Sequence, residues 1–216
     1  MSTSMESKQQ QVEAVLRLAP VIAVVVIEDV AHAAPLARAL VAGGIKAIEV
    51  TLRTPVALDA IRAIAAEVEG TVTGAGTLLT PGDIAAAEKA GARFGVSPGA
   101  TPGLLDAADD SSLPWLPGAA TATEAMGLFE RGYRLQKFFP ATRAGGPDYL
   151  RALASPLPGI RFCPTGGITA AGAPDWLALP NVVCVGGSWM STAKLVRSGS
   201  WIEIQELARG AALLHA

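Results

Sequence analysis

Apolar and polar positions follow two patterns that alternate along this chain. Short runs rich in β-branched residues are each followed by a longer segment with apolar residues at helical spacing, and glycine often separates the units. The runs predict eight strands, at residues 21–27, 47–52, 71–75, 93–97, 115–117, 135–139, 160–163 and 182–185. The intervening segments predict eight helices, at residues 30–42, 55–68, 81–90, 102–109, 123–131, 147–154, 170–177 and 190–196. Strict alternation of this kind implies parallel strands, because each helix carries the chain back to the end of the sheet at which the preceding strand began.

Two further amphipathic segments, 5–18 and 201–214, lie outside the eight units. Eight units in 216 residues favour an α/β fold in which residues 1–216 form a single (β/α)8 TIM barrel domain with an additional N-terminal helix. The alternative is an open, doubly wound sheet. Such a sheet usually has a glycine-rich turn after its first strand, whereas residues 27–30 contain no glycine. The barrel is therefore the preferred prediction.

Composition and charge restrict the partners that we expect. The chain is 50% hydrophobic and 17% charged, with a formal net charge of −2 and no basic stripe, so nucleic acid is not an expected partner. The apolar run at residues 19–27 is too short to span a membrane, and no cationic leader precedes it. We therefore expect a cytoplasmic protein with a small-molecule ligand. Cys163 and Cys184 lie in apolar runs and are expected to be reduced and structural.

Lys137 is the first candidate for chemistry, because it lies in the apolar, strand-like run at residues 135–140. Burying an ammonium group is unfavourable unless the protein uses the amine, and a desolvated lysine amine is the nucleophile of Schiff-base enzymes. The alternative is a lysine that extends from a sheet edge into solvent. The rest of the chain favours the Schiff-base interpretation.

Strand parity adds Glu49 to the candidate site. Side chains at every second position share a face, so Glu49, Thr51 and Arg53 point one way, and Lys137 shares its face with Phe139. In a barrel these faces point inward. A structural ion pair is the alternative, but buried ion pairs contribute little net stability, so a nucleophile with a general acid/base is favoured.

A metal site is not expected. The two histidines, His32 in a predicted helix and His215 in the tail, are both expected at the surface. No other cofactor is expected.

Glycine clusters follow the last two predicted strands. Thr165 is followed by Gly166 and Gly167, and Gly187 is followed by Ser188. In TIM barrels the loops after the seventh and eighth strands often bind phosphate through backbone N–H groups. The two clusters together favour a phosphorylated substrate.

Six segments, in order along nearly the whole chain, resemble one family: 48–54 (IEVTLRT), 75–77 (AGT), 97–99 (SPG), 137–140 (KFFP), 161–168 (RFCPTGGI) and 186–189 (GGSW). The family is that of the 2-keto-3-deoxy-6-phosphogluconate (KDPG) and 4-hydroxy-2-oxoglutarate (KHG) aldolases. The resemblance implies a class I aldolase of the Entner–Doudoroff pathway, acting without metal and usually as a homotrimer. An enzyme of this family would cleave KDPG to pyruvate and glyceraldehyde 3-phosphate.

The same resemblance implies a role for each matching residue. Lys137 would form the imine and Glu49 would transfer protons. Arg53 and Thr77 would hold the pyruvyl carboxylate, while Pro98 and Phe139 would line that pocket. The phosphate end of the site would comprise Gly166, Gly167, Gly187 and Ser188, and Thr165 would border both subsites.

The chain departs from several relatives at two places: the end of the first strand has Glu28 and Asp29 where they carry a basic residue, and Thr142 stands where some have an acidic one. The substrate therefore stays open among KDPG, its 6-phosphogalactonate epimer and KHG. A phosphate-binding barrel isomerase or synthase is the alternative enzyme. A barrel-shaped assembly subunit without activity is the non-enzymatic alternative.

Overall fold

The structure is a computed structural model that describes residues 4–214, so His215 lies outside the described residues. Strands and helices alternate along the chain. The strands are β1 (Val21–Val25), β2 (Ala47–Thr51), β3 (Val72–Gly76), β4 (Gly95–Val96), β5 (Trp115–Leu116), β6 (Gly118–Ala119), β7 (Leu135–Phe138), β8 (Arg161–Pro164) and β9 (Val185–Gly187). All pairings between these strands are parallel, which confirms the predicted parallel α/β architecture.

The α-helices are α1 (Met5–Leu16), α2 (Ala33–Ala42), α3 (Ala57–Glu67), α4 (Pro81–Lys89), α5 (Pro102–Asp110), α6 (Ala122–Glu130), α7 (Gly146–Ala154), α8 (Ala173–Leu177), α9 (Ala193–Arg197) and α10 (Trp201–Ala212). Short 3-10 helices occupy Val30–His32 and Trp189–Ser191. Local sequence sets several starts. Thr80 and Thr121 form capping boxes with Asp83 and Glu124, which satisfy the free N–H groups of the first turn.

The strands form a six-stranded sheet in the order β5-β4-β3-β2-β1-β9 and a three-stranded sheet in the order β6-β7-β8. Pro117 alone separates β5 from β6. Its carbonyl accepts a hydrogen bond from Lys137 N at 2.8 Å, but proline has no N–H with which to continue the ladder. Isolated parallel bridges, Phe162 to Val182 and Thr165 to Gly186, connect the β8 region with the β9 region.

Several predicted elements differ from the structure, among them the predicted helix 30–42, which begins as the 3-10 helix Val30–His32 before α2. The predicted strand 115–117 is divided at Pro117 and resumes as β6. The predicted strand 182–185 moves to Val185–Gly187, with Val182 making only an isolated bridge. The predicted helix 190–196 is a 3-10 turn followed by α9, whose cap, Thr192, has an extended backbone that interrupts the helix.

Buried apolar side chains form two clusters. The larger lies between the strands and the surrounding helices and includes Ile48, Val50 and Phe138. The smaller includes Val12, Val15 and Leu16 of α1, which pack with strand residues such as Val96 and Leu135. Helix α1 therefore packs against buried side chains of the strands. None of the helices within residues 4–214 has the length and apolar character to cross a membrane.

Candidate active site

Lys137 on β7 and Glu49 on β2 meet in the interior of the protein. Lys137 Nζ donates a hydrogen bond of 3.1 Å to Glu49 Oε1. Only 3% of the lysine side chain and 4% of the glutamate side chain are exposed. An amine and a carboxylate are thus in direct contact and screened from water, which strengthens their electrostatic interaction.

Alternation along the two strands explains why these side chains point inward. On β7, Gln136 and Phe138 lie on the opposite face from Lys137: Gln136 Nε2 donates to Ala125 O at 2.9 Å, and Phe138 stacks with Tyr149 at a centroid separation of 5.6 Å. On β2, Ile48 and Val50 flank Glu49 and belong to the core cluster between strands and helices. The alternate positions, which contact the surrounding helices, therefore fix the orientation of Lys137 and Glu49.

An aromatic ring lies beside the amine. Phe139, half-buried directly after β7, places its ring centroid 5.3 Å from Lys137 Nζ. At this distance the face of an aromatic ring attracts a cation. Phe139 also packs near Gly166, since a Cβ added to that glycine would lie 3.3 Å from the ring.

A second polar pair follows β2 and β3. Arg53 Nε donates to Thr77 Oγ1 at 3.2 Å, and the Arg53 side chain is otherwise exposed. Thr77 has a φ of +61°, the one left-handed backbone conformation among the described non-glycine residues. Such a conformation costs a non-glycine residue about 1–3 kcal/mol, and strain of this kind is typical of functional sites.

The half-buried Pro98 follows β4 and has β6 as its neighbour. A Cβ on Gly118 would lie only 2.3 Å from the Pro98 carbonyl carbon, so the two backbones are in close contact. Gly118 is also the register partner of Lys137. This contact places Pro98 next to Gly118, the residue that pairs with Lys137 in the sheet.

The two glycine clusters lie together. The Thr165–Gly186 bridge joins the segment after β8 to β9. Gly166 and Gly167 have φ values of +105° and +78°, a region open to glycine but strained for other residues. Consecutive residues of this type often present backbone N–H groups to an anion. Gly187 is buried and Ser188 is exposed at the adjacent end of β9.

Hydrogen bonds join Lys137 to Glu49 and Arg53 to Thr77, but within residues 4–214 none connects one pair to the other.

Part of the described chain, residues 12–207, matches the family model described as KDPG and KHG aldolase. The chain belongs to the KDPG and KHG aldolase family.

Members of this family are similar to the chain over most of their length. The KHG/KDPG aldolase of Escherichia coli strain K12 is 46% identical over 207 residues, which cover 96% of this chain and 97% of that protein. The 2-dehydro-3-deoxy-phosphogluconate aldolase of Pseudomonas aeruginosa is 47% identical, with 96% of this chain and 94% of that protein covered. A crystal structure of KDPG aldolase from Legionella pneumophila, with pyruvate captured as a covalent carbinolamine intermediate, superposes with a TM-score of 0.91 at 42% identity. The superposition covers 98% of this chain and 100% of the Legionella chain.

Reasoning from the sequence named Gly76 and Gly186 within motifs but missed the close contacts that these glycines make in the site of this aldolase family member. A Cβ on Gly76 would lie 2.1 Å from Glu49 Oε1, and a Cβ on Gly186 would lie 2.3 Å from Thr165 Oγ1. Glycine inside a strand was the available signal, because it often marks a close approach of other atoms. Within residues 4–214, no cluster of three or more His, Cys, Asp and Glu side chains is arranged to hold a metal ion.

Proposed function

We propose that this member of the aldolase family cleaves KDPG to pyruvate and glyceraldehyde 3-phosphate through a Schiff base on Lys137, with no metal or other cofactor. The observation that carries the proposal is the buried contact between Lys137 Nζ and Glu49 Oε1. Cleavage of KHG to pyruvate and glyoxylate is a second reaction of the same site, because both substrates carry a 2-keto acid and a C4 hydroxyl group.

Glu49 accepts a proton from Lys137, and the free amine attacks the keto carbon C2 of the substrate. Glu49 gives this proton to the C2 hydroxyl group of the carbinolamine, which leaves as water, and the resulting protonated imine accepts the electron pair of the C3–C4 bond as an enamine forms. Glu49, deprotonated again, takes the proton of the C4 hydroxyl group as the aldehyde leaves. Glu49 then returns a proton to C3, and water added at C2 releases pyruvate and the lysine amine.

Two subsites flank this centre. Arg53 and Thr77 hold the pyruvyl carboxylate: a guanidinium and a hydroxyl group are suitable donors, and they are already 3.2 Å apart. Phe139 packs against the imine, and Pro98 lines the same pocket. Backbone N–H groups of Gly166, Gly167 and Gly187, together with the Ser188 hydroxyl group, bind the phosphate, and Thr165 borders both subsites.

The finer architecture belongs to the same proposal. The two sheets are parts of one eight-stranded barrel, in which β5 and β6 count as a single strand and the bridges to Val182 and Gly186 close the ring. Helix α1 is the addition to the eight βα units, and residues 1–216 form one domain. The protein assembles as a homotrimer, as the family resemblance implies, and it acts in the cytoplasm.

A phosphate-binding isomerase is not favoured, because it gives no role to the Lys137–Glu49 pair. The test is to mix the protein with pyruvate, reduce with borohydride and map the modified peptide by mass spectrometry. We expect a pyruvyl adduct on Lys137 and none on the exposed Lys46, which serves as the internal control. Pyruvate release from KDPG, its galactonate epimer and KHG then ranks the substrates. An unmodified Lys137 in folded protein would overturn the proposal.

A further inference from the structure

Gly76, the last residue of β3, lies against the carboxylate of Glu49. A Cβ added to Gly76 would be 2.1 Å from Glu49 Oε1 and 2.6 Å from both Cδ and Cγ. Contacts this short do not occur, so a side chain at this position and the present position of Glu49 exclude each other. Oε1 is also the oxygen that accepts the hydrogen bond from Lys137.

The backbone of Gly76 does not itself require glycine. Its φ lies outside the left-handed region, so alanine fits the local conformation. Strand pairing holds the segment in place: Leu52 N donates to Gly76 O at 2.8 Å, and Ala75 N donates to Phe94 O at 3.0 Å. Because this ladder resists movement, an added methyl group would displace the Glu49 side chain rather than the strand.

We propose that Gly76 is a positioning residue, whose missing side chain leaves the space in which Glu49 Oε1 contacts Lys137. The inference rests on the proposed function, since it assigns Gly76 to the placement of the general acid/base. Gly76→Ala should slow imine formation without preventing it at equilibrium, because Lys137 itself is unchanged, and should remove the carboxylate from the reacting carbon. The two halves of the reaction can therefore be separated experimentally.

The test compares Gly76→Ala with Gly74→Ala. Gly74 lies on the same strand and is also buried, but its added Cβ would meet the Phe94 ring at 2.3 Å instead of Glu49. Gly103→Ala is the neutral control, because nothing lies within 4 Å of a Cβ there. Two quantities are measured with pyruvate: deuterium exchange into its methyl group, which reports proton transfer at C3, and the equilibrium yield of the borohydride-trapped adduct.

For Gly76→Ala we expect exchange to slow by about 10²-fold or more, the usual contribution of a general acid/base, while most of the adduct remains. Gly74→Ala should lower the melting temperature without this selective loss of exchange. Normal exchange in folded Gly76→Ala, or an equal selective loss of exchange in Gly74→Ala, would overturn this inference but not the proposed function. No adduct on the unmodified protein would instead overturn the proposed function.

A double-mutant cycle covers the case in which Gly76→Ala folds poorly. Glu49→Ala removes all three atoms that the new methyl group would meet. We expect Gly76→Ala to lower the melting temperature in the presence of Glu49 and to leave it unchanged in the Glu49→Ala background, since contacting residues couple energetically. Equal destabilisation in both backgrounds would contradict a specific contact between Gly76 and the carboxylate.

Discussion

Lys137 Nζ and Glu49 Oε1 are 3.1 Å apart, although 88 positions of the chain separate the two residues. Both side chains are almost completely buried. Removing two charges from water is seldom repaid by their mutual attraction, so stability alone gives a poor reason for this pair. A nucleophile that passes its proton to a neighbouring carboxylate gives a better one.

Lys137→Met should abolish pyruvate release and destabilise the protein at the same time. The methionine cannot form an imine, and Glu49 would remain buried without its partner, at a cost of about 3–5 kcal/mol. The double variant Lys137→Met/Glu49→Leu should recover much of that stability but none of the activity. Urea unfolding and a coupled pyruvate assay measure the two effects. An active Lys137→Met protein would contradict the role of the lysine.

Arg53→Met should weaken the binding of every 2-keto acid substrate to a similar extent. A hydrogen bond to a charged group contributes about 1.5–3 kcal/mol, so KM should rise about 10- to 100-fold for KDPG and KHG alike. Stability should change little, because the Arg53 side chain is exposed. Arg38→Met, at an exposed arginine paired with Glu67, is the matched control. A change confined to KDPG would place Arg53 at the phosphate end instead.

Ser188→Ala should discriminate between phosphorylated and unphosphorylated substrates. Loss of one hydroxyl donor to a dianion should raise KM for KDPG about tenfold or more. KHG has no phosphate group, so its KM should be unchanged and provides the control within the same protein. Steady-state kinetics with both substrates check this. Equal effects on both would argue against Ser188 as a phosphate ligand.

A hydrogen-bonded carboxyl group at the start of α6 should make the free energy of unfolding depend on pH in the acid range. Glu124 accepts hydrogen bonds from Ala120 N at 2.8 Å and Thr121 N at 2.9 Å, which lower the pKa of its carboxyl group. The unfolded state therefore binds this proton at a higher pH than the folded state, and the stabilisation is lost as pH falls through the lowered pKa. Glu124→Gln should flatten this part of the curve of unfolding free energy against pH. An unchanged curve would contradict the assignment.

The two thiols should be unreactive in the folded protein. Cys184 Sγ lies 3.6 Å from Cys163 Sγ. The hydrogen bond to Cys163 and, to a smaller extent, burial raise the pKa of the Cys184 thiol. The folded state thus retains a proton that the unfolded state releases above the ordinary thiol pKa, so stability should fall as pH rises through this range. Thiol titration before and after denaturation, with Cys184→Ala as the control, measures both accessibility and its pH dependence. Rapid labelling of native protein would contradict the burial.

Local pattern was sufficient for the alternation of strands and helices and for the inward parity of Glu49 and Lys137. Both depend on which side of a strand is apolar, and that is visible in neighbouring residues of the chain. The division of a strand at Pro117 and the shift of the last strand to Val185–Gly187 were not visible in this way. Where a strand pairs is set by the neighbouring strand, which is distant in the sequence.

The sequence by itself determined the parallel α/β fold class and the family, because short-range periodicity and ordered motifs carry that information, and it predicted Lys137 as the residue for imine chemistry. Only the tertiary structure decided the 3.1 Å contact between Lys137 and Glu49, the pairing of Arg53 with Thr77 and the space at Gly76. These relationships join separate strands and loops. They depend on register and packing, which are collective properties of the folded chain and have no signature in any one segment.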